Sequence, residues 1–306
     1  KQAEFVKFFI IKLLFLRTQY DRYVIKREKH NGTESWSLKT IQKYDKNKVG
    51  YVNTFSDEGE DAKAVQLLEA MFHVSAPTQI YKHWLNALLY ALFHAPEIEK
   101  EQVSASFLRD LRNQLYNLAR SFMLDVYLAK EKTTFEDIVY RQKGKPAHDL
   151  NNIDWGRIDQ GCSVHNFIFN FYDFITWQND PEEYSKFDFS YRTSVEHFYP
   201  QKPMKGYDCL NEDVLHSFGN LCLISSSMNS KFSNNMPKAK LANFGLDEEV
   251  RNGLSLKLLE MMDVVKEKGD WSENEIKVFN EEAKQRFQEA LSNQPPIGHD
   301  LKEGKE

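Results

Sequence analysis

Three short segments between residues 194 and 240 carry side chains suited to the hydrolysis of a phosphodiester bond. Their polar residues are Glu196, His197 and Gln201, then Asn220, and then Asn229, Asn234 and Asn235. A histidine can take a proton from water near neutral pH, and carboxylate and amide oxygens are ligands that suit magnesium or manganese. The three segments together indicate a site with a histidine base and a metal held by oxygen ligands.

These segments fall on elements that would have to fold together. The predicted elements are a strand at residues 187–199, a second strand at 220–225 and a polar helix at 228–241. Glu196 and His197 are adjacent, so on a regular strand they face opposite sides, and a bend near Pro200 would be needed to bring both to one site. Asn220 is expected to hold the loop that carries the imidazole, and an asparagine of the helix to complete the metal site.

At these positions the chain resembles a known family of nucleases. The segments VEHFYPQ, GNLCLIS and MNSKFSN are similar, in this order, to the HNH (His-Me finger, ββα-metal) nuclease domain, and more narrowly to the C-terminal nuclease domain of GmrSD-type DNA restriction proteins. The family pattern is carboxylate-His-x-x-Pro-Gln, a Gly-Asn-Leu strand, and an Asn-Ser-x-x-Ser-Asn helix followed by Lys. The positions that match it are Glu196, His197, Pro200, Gln201, Gly219, Asn220, Leu221, Asn229, Ser230, Ser233, Asn234 and Lys240.

The resemblance implies a role for each matching residue. His197 would be the general base that activates water, and Glu196 would bind the metal where many of these nucleases have Asp. Asn220 would orient the loop of the histidine. Asn229 would be the second metal ligand, with Asn234 and Asn235 as competitors for that place. The implied phosphate contacts are Lys231 and Lys240.

The resemblance also implies an activity. The implied activity is that of a metal-dependent DNA endonuclease with magnesium or manganese as cofactor. Such a protein would form the cleavage half of a bacterial anti-phage restriction system. An RNA-directed nuclease or toxin on the same site is an alternative, because attack by water does not need a 2′-hydroxyl group. A catalytically inactive helical interaction module is another. The family usually has a nucleotide-sensing half with an Asp-Gly-Gln-Gln-Arg-like motif; this chain lacks the motif, so a nucleotide-sensing domain or subunit would be a partner outside it.

The rest of the chain predicts a mostly α fold, a helical body with an embedded ββα-metal nuclease unit. Apolar residues recur at helical spacing at residues 1–25, 61–74, 80–93, 102–130 and 164–177, and Ser272 with Glu275 forms a capping box before a last helix. The aromatic residues of 164–177 are expected in the core, and residues 26–59 as loops with at most a weak hairpin. The predicted regions are an N-terminal remnant at 1–60, a helical domain at 61–185, the nuclease unit at 186–245 and C-terminal helices at 246–306.

Charge and cysteine content limit the expected mode of nucleic-acid binding and the expected cellular compartment. The 306 residues carry a net charge of -5, which disfavours loose coating of nucleic acid. Residues 186–245 have seven Lys/Arg and five Asp/Glu, a local excess of +2, so a small basic site on an acidic body is expected. Three cysteines without CxxC spacing predict free, buried thiols in a reducing cytoplasm. No membrane span is expected. Of the other histidines, His216 lies four residues before Asn220 and could reach the site, although a core or surface position is favoured for it.

Overall fold

The computed structural model describes residues 2–30, 33–45, 48–55, 59–78, 82–95 and 104–292. The end of the predicted 246–306 region, from residue 293, therefore lies outside the described residues.

The predicted mostly α fold is confirmed. The helices are α1 (Gln2–Tyr23), α2 (Glu60–Ser75), α3 (His83–His94), α4 (Ala105–Phe122), α5 (Phe135–Val139), α6 (Asn166–Asn179), α7 (Glu212–Leu215), α8 (Ser226–Phe232), α9 (Pro237–Phe244), α10 (Glu248–Asn252), α11 (Leu256–Lys268) and α12 (Glu273–Ser292).

Shorter helical turns connect these helices. A π-helical turn, Met123–Tyr127, extends α4, and 3₁₀ turns occur at Gln142–Gly144, Leu150–Asn152, Trp155–Arg157, Gly161–Ser163 and Phe218–Asn220. The strands form antiparallel pairs: β1 (Lys26–His30) with β2 (Thr33–Ser37), β3 (Lys39–Asp45) with β4 (Lys48–Asn53), and β5 (Ser194–His197) with β6 (Leu221–Ile224). The four predicted region boundaries stay predictions.

Helix α6 lies at the centre of the hydrophobic core. Every residue from Phe167 to Trp177 is buried, and the helix packs against α2, α11, α12 and β6. The aromatic residues of this helix therefore serve the core, as predicted. The capping box at the start of α12 is also confirmed, because the backbone N–H of Ser272 donates to Glu275 Oε2 at 3.0 Å.

The N-terminal segment has more regular secondary structure than its sequence indicates. Residues 26–59, predicted as loops with at most a weak hairpin, contain the two hairpins β1–β2 and β3–β4. Trp36 of β2 is buried, and its indole N–H donates to the carbonyl of Phe189 at 2.6 Å. Strand β1 reads Lys-Arg-Glu-Lys-His, without apolar alternation, so the hairpin depends on tertiary packing that a local pattern does not contain.

The predicted strand at 187–199 is too long. Only Ser194–His197 pairs, with Glu196 opposite Cys222 and His197 opposite Leu221. Phe187 and Phe189 are buried and pack edge to face with ring centroids 5.0 Å apart. Their aromatic character thus reflects core packing of an extended segment and not a β-ladder.

The predicted helix at 228–241 is two helices. Helix α8 ends at Phe232 and is followed by Ser233, which has φ 44° and ψ -140°; α9 then begins with Pro237 in its first turn. Proline lacks the N–H that a continuing helix requires and fits the first helical turn. The break turns the chain between Asn229 and Lys240, two residues predicted for one site.

Helix α1 leaves large apolar side chains on the surface. Phe5, Phe8, Phe9, Ile11 and Leu14 are each more than half exposed. None of the helices in the described part of the chain nevertheless has the length and apolar character of a membrane span.

A buried carboxyl group joins α2 to the start of β1. Glu69 is fully buried, and its Oε2 accepts a hydrogen bond from the N–H of Ile25 at 2.9 Å. Burial raises the pKa of Glu69 from its ordinary 4.5 to about 8. Because the raised pKa favours the protonated form in the folded state, its contribution to stability is present below pH 4.5 and is lost as pH rises toward 8.

The Glu69→Gln substitution tests this assignment. The amide cannot ionise and its oxygen can still accept from Ile25, so we expect the variant to become progressively more stable relative to the wild type between pH 4.5 and pH 8. Thermal denaturation across this range measures the difference, with the exposed Glu182→Gln as control. A difference in melting temperature that is constant with pH would show that Glu69 has an ordinary pKa.

Candidate active site

His197 lies at the end of β5 and is almost fully buried, with 2% of its surface exposed. Its Nε2 is 3.1 Å from Nδ1 of His216, a half-buried residue that follows α7. Burial, with smaller contributions from His216 and Lys240, lowers the pKa of His197 to about 4. The imidazole is therefore neutral near pH 7, the form in which one ring nitrogen can accept a proton.

His216 lies in the site, whereas a core or surface position is favoured for it from the sequence alone. The N–H of Gly161 donates to its carbonyl at 3.0 Å, and Gly161 has φ 58°. A Cβ at Gly161 would lie 2.7 Å from His216 Nδ1. The glycine is thus needed both for its left-handed backbone and for the close approach of the imidazole.

Cys162 lies on the other side of the His197 ring. Its Sγ is 3.8 Å from His197 Nδ1, and burial followed by the charge of Glu196 raises the pKa of the thiol. The thiol is therefore close to both Glu196 and His197. The prediction that the cysteines are free is confirmed, but the prediction that they are buried is wrong for Cys162 and Cys209, which are exposed; only Cys222 is buried.

Asn220 holds the backbone just beyond His197. Its Oδ1 accepts from the N–H of Tyr199 at 2.7 Å, and its Nδ2 donates to the carbonyls of Tyr199 at 3.1 Å and Leu215 at 3.0 Å. The indole N–H of Trp271 reaches the same Oδ1 at 3.4 Å. The buried amide thus connects the turn after β5 to the end of α7, the arrangement expected of a residue that orients the histidine loop.

Lys240 does not lie where a phosphate contact requires. Its side chain is fully buried, and Nζ donates to the carbonyls of His197 at 2.8 Å and Phe198 at 3.0 Å. The ammonium also lies 4.9 Å from the ring centroid of Phe232. Because its donors point to the protein interior, Lys240 supports the His197 backbone in this structure, and its predicted contact with phosphate does not fit this placement.

A second buried lysine, which sequence analysis did not single out, supports the neighbouring strand. Lys257 of α11 donates from Nζ to the carbonyls of Phe218 at 2.8 Å and Leu221 at 2.6 Å. Burial lowers the pKa of Lys257 to about 7. No local sequence signal distinguishes this lysine from an exposed one, because its burial depends on how α11 packs.

Gly219 allows α12 to approach the strand closely. A Cβ there would lie 2.3 Å from the carbonyl oxygen of Ile276, and the N–H of Gly219 donates to Asn280 Oδ1 at 2.8 Å. Here the glycine of the Gly-Asn-Leu segment is required by close packing, although its φ is not in the left-handed region.

Asn229 lies against the face of β5 that carries Glu196. Asn229 Nδ2 donates to Ser194 Oγ at 2.7 Å, and Ser194 and Glu196, two residues apart on a strand, point to the same face. Both Glu196 and Asn229 are half-buried, and burial raises the pKa of Glu196 against the opposing effect of Lys240. Two hard oxygen donors, the Glu196 carboxylate and Asn229 Oδ1, are therefore available on this face. His197, the next residue of the strand, faces the other side, because both residues pair in regular register with β6 and the expected bend does not occur between them.

The competing asparagines are placed differently. Asn235 Nδ2 donates to the Lys231 carbonyl at 3.3 Å, and Asn234 is exposed after the end of α8. Neither makes the contact with β5 that Asn229 makes. Lys231 is exposed on α8, as a residue that meets phosphate would need to be.

The donor set suits one kind of metal. Within the described ranges, no three His, Cys, Asp or Glu side chains converge so as to hold an ion. Zinc sites are usually built from such nitrogen and sulfur ligands, whereas magnesium is commonly bound by one or two carboxylates together with water and substrate phosphates. Glu196 and Asn229 fit the second pattern.

Comparison with known proteins gives a family match. Residues 147–282 match the family model for the C-terminal domain of GmrSD restriction endonucleases. No curated protein and no solved structure matches the chain significantly. The matched stretch contains the Gly161–Ser163 turn, both strands of the β5–β6 pair, helices α6 to α11 and the first half of α12. Residues 147–282 thus belong to the C-terminal domain family of the GmrSD restriction endonucleases.

Proposed function

We propose that this chain is a metal-dependent DNA endonuclease of the HNH type and the cleavage half of a bacterial anti-phage restriction system. Strands β5 and β6 with helix α8 form its ββα-metal unit. A nucleotide-sensing domain or subunit is its proposed partner, and the cytoplasm its proposed location. The family match supports a restriction-type nuclease, and the finer assignment is argued from the site.

The observation that carries the proposal is the position of Asn229. Its hydrogen bond to Ser194 fixes α8 against β5 and sets the amide on the same strand face as Glu196. The asparagine and the carboxylate come from different elements, thirty-three positions apart in the chain.

The proposed roles follow from these contacts. When bound, a divalent ion supplies charge neutralisation at the scissile phosphate and at the leaving oxygen. Glu196 and Asn229 Oδ1 are the residues that would hold it. His197 accepts a proton from the attacking water at Nδ1, the ring nitrogen beside the exposed Cys162, and His216 fixes the orientation of the ring through Nε2. Asn220 and Lys240 hold the backbone on which His197 depends.

The His197→Ala substitution tests the role of the base. We expect the wild-type protein to nick plasmid DNA in magnesium or manganese and the variant to lose at least about a hundredfold in rate, the lower end of what a general base contributes. The exposed His94→Ala is a matched control that should cut normally. Circular dichroism and melting temperature establish that the variant is folded.

The same assay separates the alternatives. Equal nicking by the wild type and His197→Ala would refute the assignment of the base. Digestion of RNA in place of DNA would favour the RNA-directed nuclease or toxin. No digestion of either, together with no shift of melting temperature by metal, is the outcome that an inactive helical module predicts.

The two lysines predicted to contact phosphate should respond in opposite ways. The Lys240→Met substitution keeps the length of the side chain but leaves the carbonyls of His197 and Phe198 without their donor, so we expect a loss of about 2–4 kcal/mol in the free energy of unfolding. The Lys231→Ala substitution removes an exposed charge, so stability should hardly change.

DNA binding gives the second measurement for this pair. Lys231→Ala should weaken binding and lower the slope of log affinity against log salt by about 1, the effect of one lost phosphate contact. Urea denaturation and binding titrations at several salt concentrations measure both effects. If Lys240→Met is as stable as the wild type and instead lowers the salt slope, then Lys240 reaches phosphate after all.

A further inference from the structure

A separate cavity of about 360 Å³ lies where the end of α2, the start of α3 and the start of α6 meet. Most of its lining is aromatic, from Phe72, Trp84, Phe122, Phe135 and Phe167. This volume falls within the range of small-molecule sites, which are concave and mostly apolar with a few polar groups. The cavity is not part of the site built around His197.

The lining excludes a charged ligand. None of the described residues that line the cavity is Lys, Arg, Asp or Glu. A phosphate, a carboxylate or an ammonium group would therefore be buried without an opposite charge, at a high cost in free energy. Aromatic walls instead favour a neutral, planar group that can stack on them.

One buried N–H donor at the cavity, that of Trp84, has no acceptor among the described residues, and the exposed His165 offers a second N–H there. Trp84 is 1% exposed. His165 Nδ1 accepts from the N–H of Phe167 at 3.1 Å, which leaves the proton of the neutral ring on Nε2. Burial lowers the pKa of His165, so the ring stays neutral and Nε2–H remains a donor. A buried donor without a partner is costly, and a ligand with acceptor atoms would relieve that cost.

A third lining residue holds the imidazole in place. The Tyr127 ring stacks on His165 with centroids 4.2 Å apart and an interplanar angle of 22°. Tyr127 lies in the π-helical turn after α4, and such turns are frequent at functional sites. The tyrosine thus fixes the direction of the His165 ring.

A short stretch of chain connects the cavity to the candidate active site. His165 follows Cys162 by three residues, and Cys162 Sγ is 3.8 Å from His197 Nδ1. Three residues span at most about 11 Å between Cα atoms. A nucleic-acid strand with a phosphate near His197 would therefore have the bases of the same or adjacent nucleotides within reach of the cavity.

We propose that this cavity binds an unstacked nucleobase of the DNA held at the candidate active site, an inference that rests on the proposed function because it takes DNA as the bound molecule. The face of the base stacks on the aromatic walls, and its carbonyl oxygens or ring nitrogens accept from Trp84 and His165. Enzymes that act on nucleic acid place bases in pockets of this kind, with stacking on the faces and hydrogen bonds to the edge.

The Trp84→Phe substitution tests the cavity independently of cutting. In a His197→Ala background, chosen to prevent cleavage, a short single-stranded DNA with one 2-aminopurine is titrated and the fluorescence of that base is read. We expect quenching as the base stacks, and an affinity about three- to tenfold weaker after Trp84→Phe, the effect of losing one neutral hydrogen bond. Thymidine should displace the base, whereas indole, which lacks carbonyl acceptors, should do so poorly.

The chain offers a matched control. Trp177 also has a buried indole N–H without an acceptor among the described residues, but it does not line the cavity, so Trp177→Phe should bind like the parent. If Trp84→Phe does not fold, His165→Asn replaces it, because asparagine can still cap α6 while the imidazole donor is lost. This variant should weaken binding in the same direction.

The outcomes separate this inference from the proposed function. Unquenched fluorescence, equal effects of the two tryptophan substitutions, or displacement by indole as strong as by thymidine would each overturn the base-binding cavity. If wild-type protein still nicks plasmid DNA in a metal- and His197-dependent way, the nuclease proposal stands without the cavity. Quenching that depends on Trp84, with no cutting by the wild type, supports the cavity and refutes the nuclease.

Discussion

Two buried ammonium groups hold one end of the short strand pair on which the candidate site is built, the end at which His197 pairs with Leu221. Lys240 donates to the carbonyls of His197 and Phe198, and Lys257 donates to those of Phe218 and Leu221. A two-stranded sheet of four residues a side is marginal by itself, and burying a lysine is costly unless its donors are used. Here the two costs offset each other, because each lysine uses its donors on backbone carbonyls at this end of the sheet.

The polar groups around His197 depend on this support. With the backbone held by Lys240 and the following turn by Asn220, the imidazole is fixed between His216 and Cys162, and the opposite strand face carries Glu196 beside Asn229. The surrounding helices contribute indirectly, since α12 reaches the strand only because Gly219 has no side chain. The same packing explains why the local excess of positive charge in residues 186–245 overstates the basic surface: Arg192 and Lys240 are both buried.

Local sequence patterns predict the long helices and the order along the chain of the segments that carry the site residues. Helical spacing and the Ser272–Glu275 capping box predict α2, α6 and α12 because those signals lie within one element. The same approach misses the hairpins of residues 26–59, because strand pairing depends on packing. It also predicts one helix where the structure has α8 and α9, because the break depends on the left-handed backbone of a single residue, Ser233. The burial of Lys240 and Lys257 has no local signature at all, and so a structural lysine was predicted to contact phosphate.

The claim that Glu196 and Asn229 form a hard-oxygen metal site is tested most directly by anomalous diffraction from crystals soaked in manganese at neutral pH. We expect one anomalous peak within bonding distance of the Glu196 carboxylate and Asn229 Oδ1, which disappears in crystals of the Glu196→Gln protein. A peak instead at the cluster of Cys162, His197 and His216, or no peak beside β5 in wild-type crystals, would contradict the account.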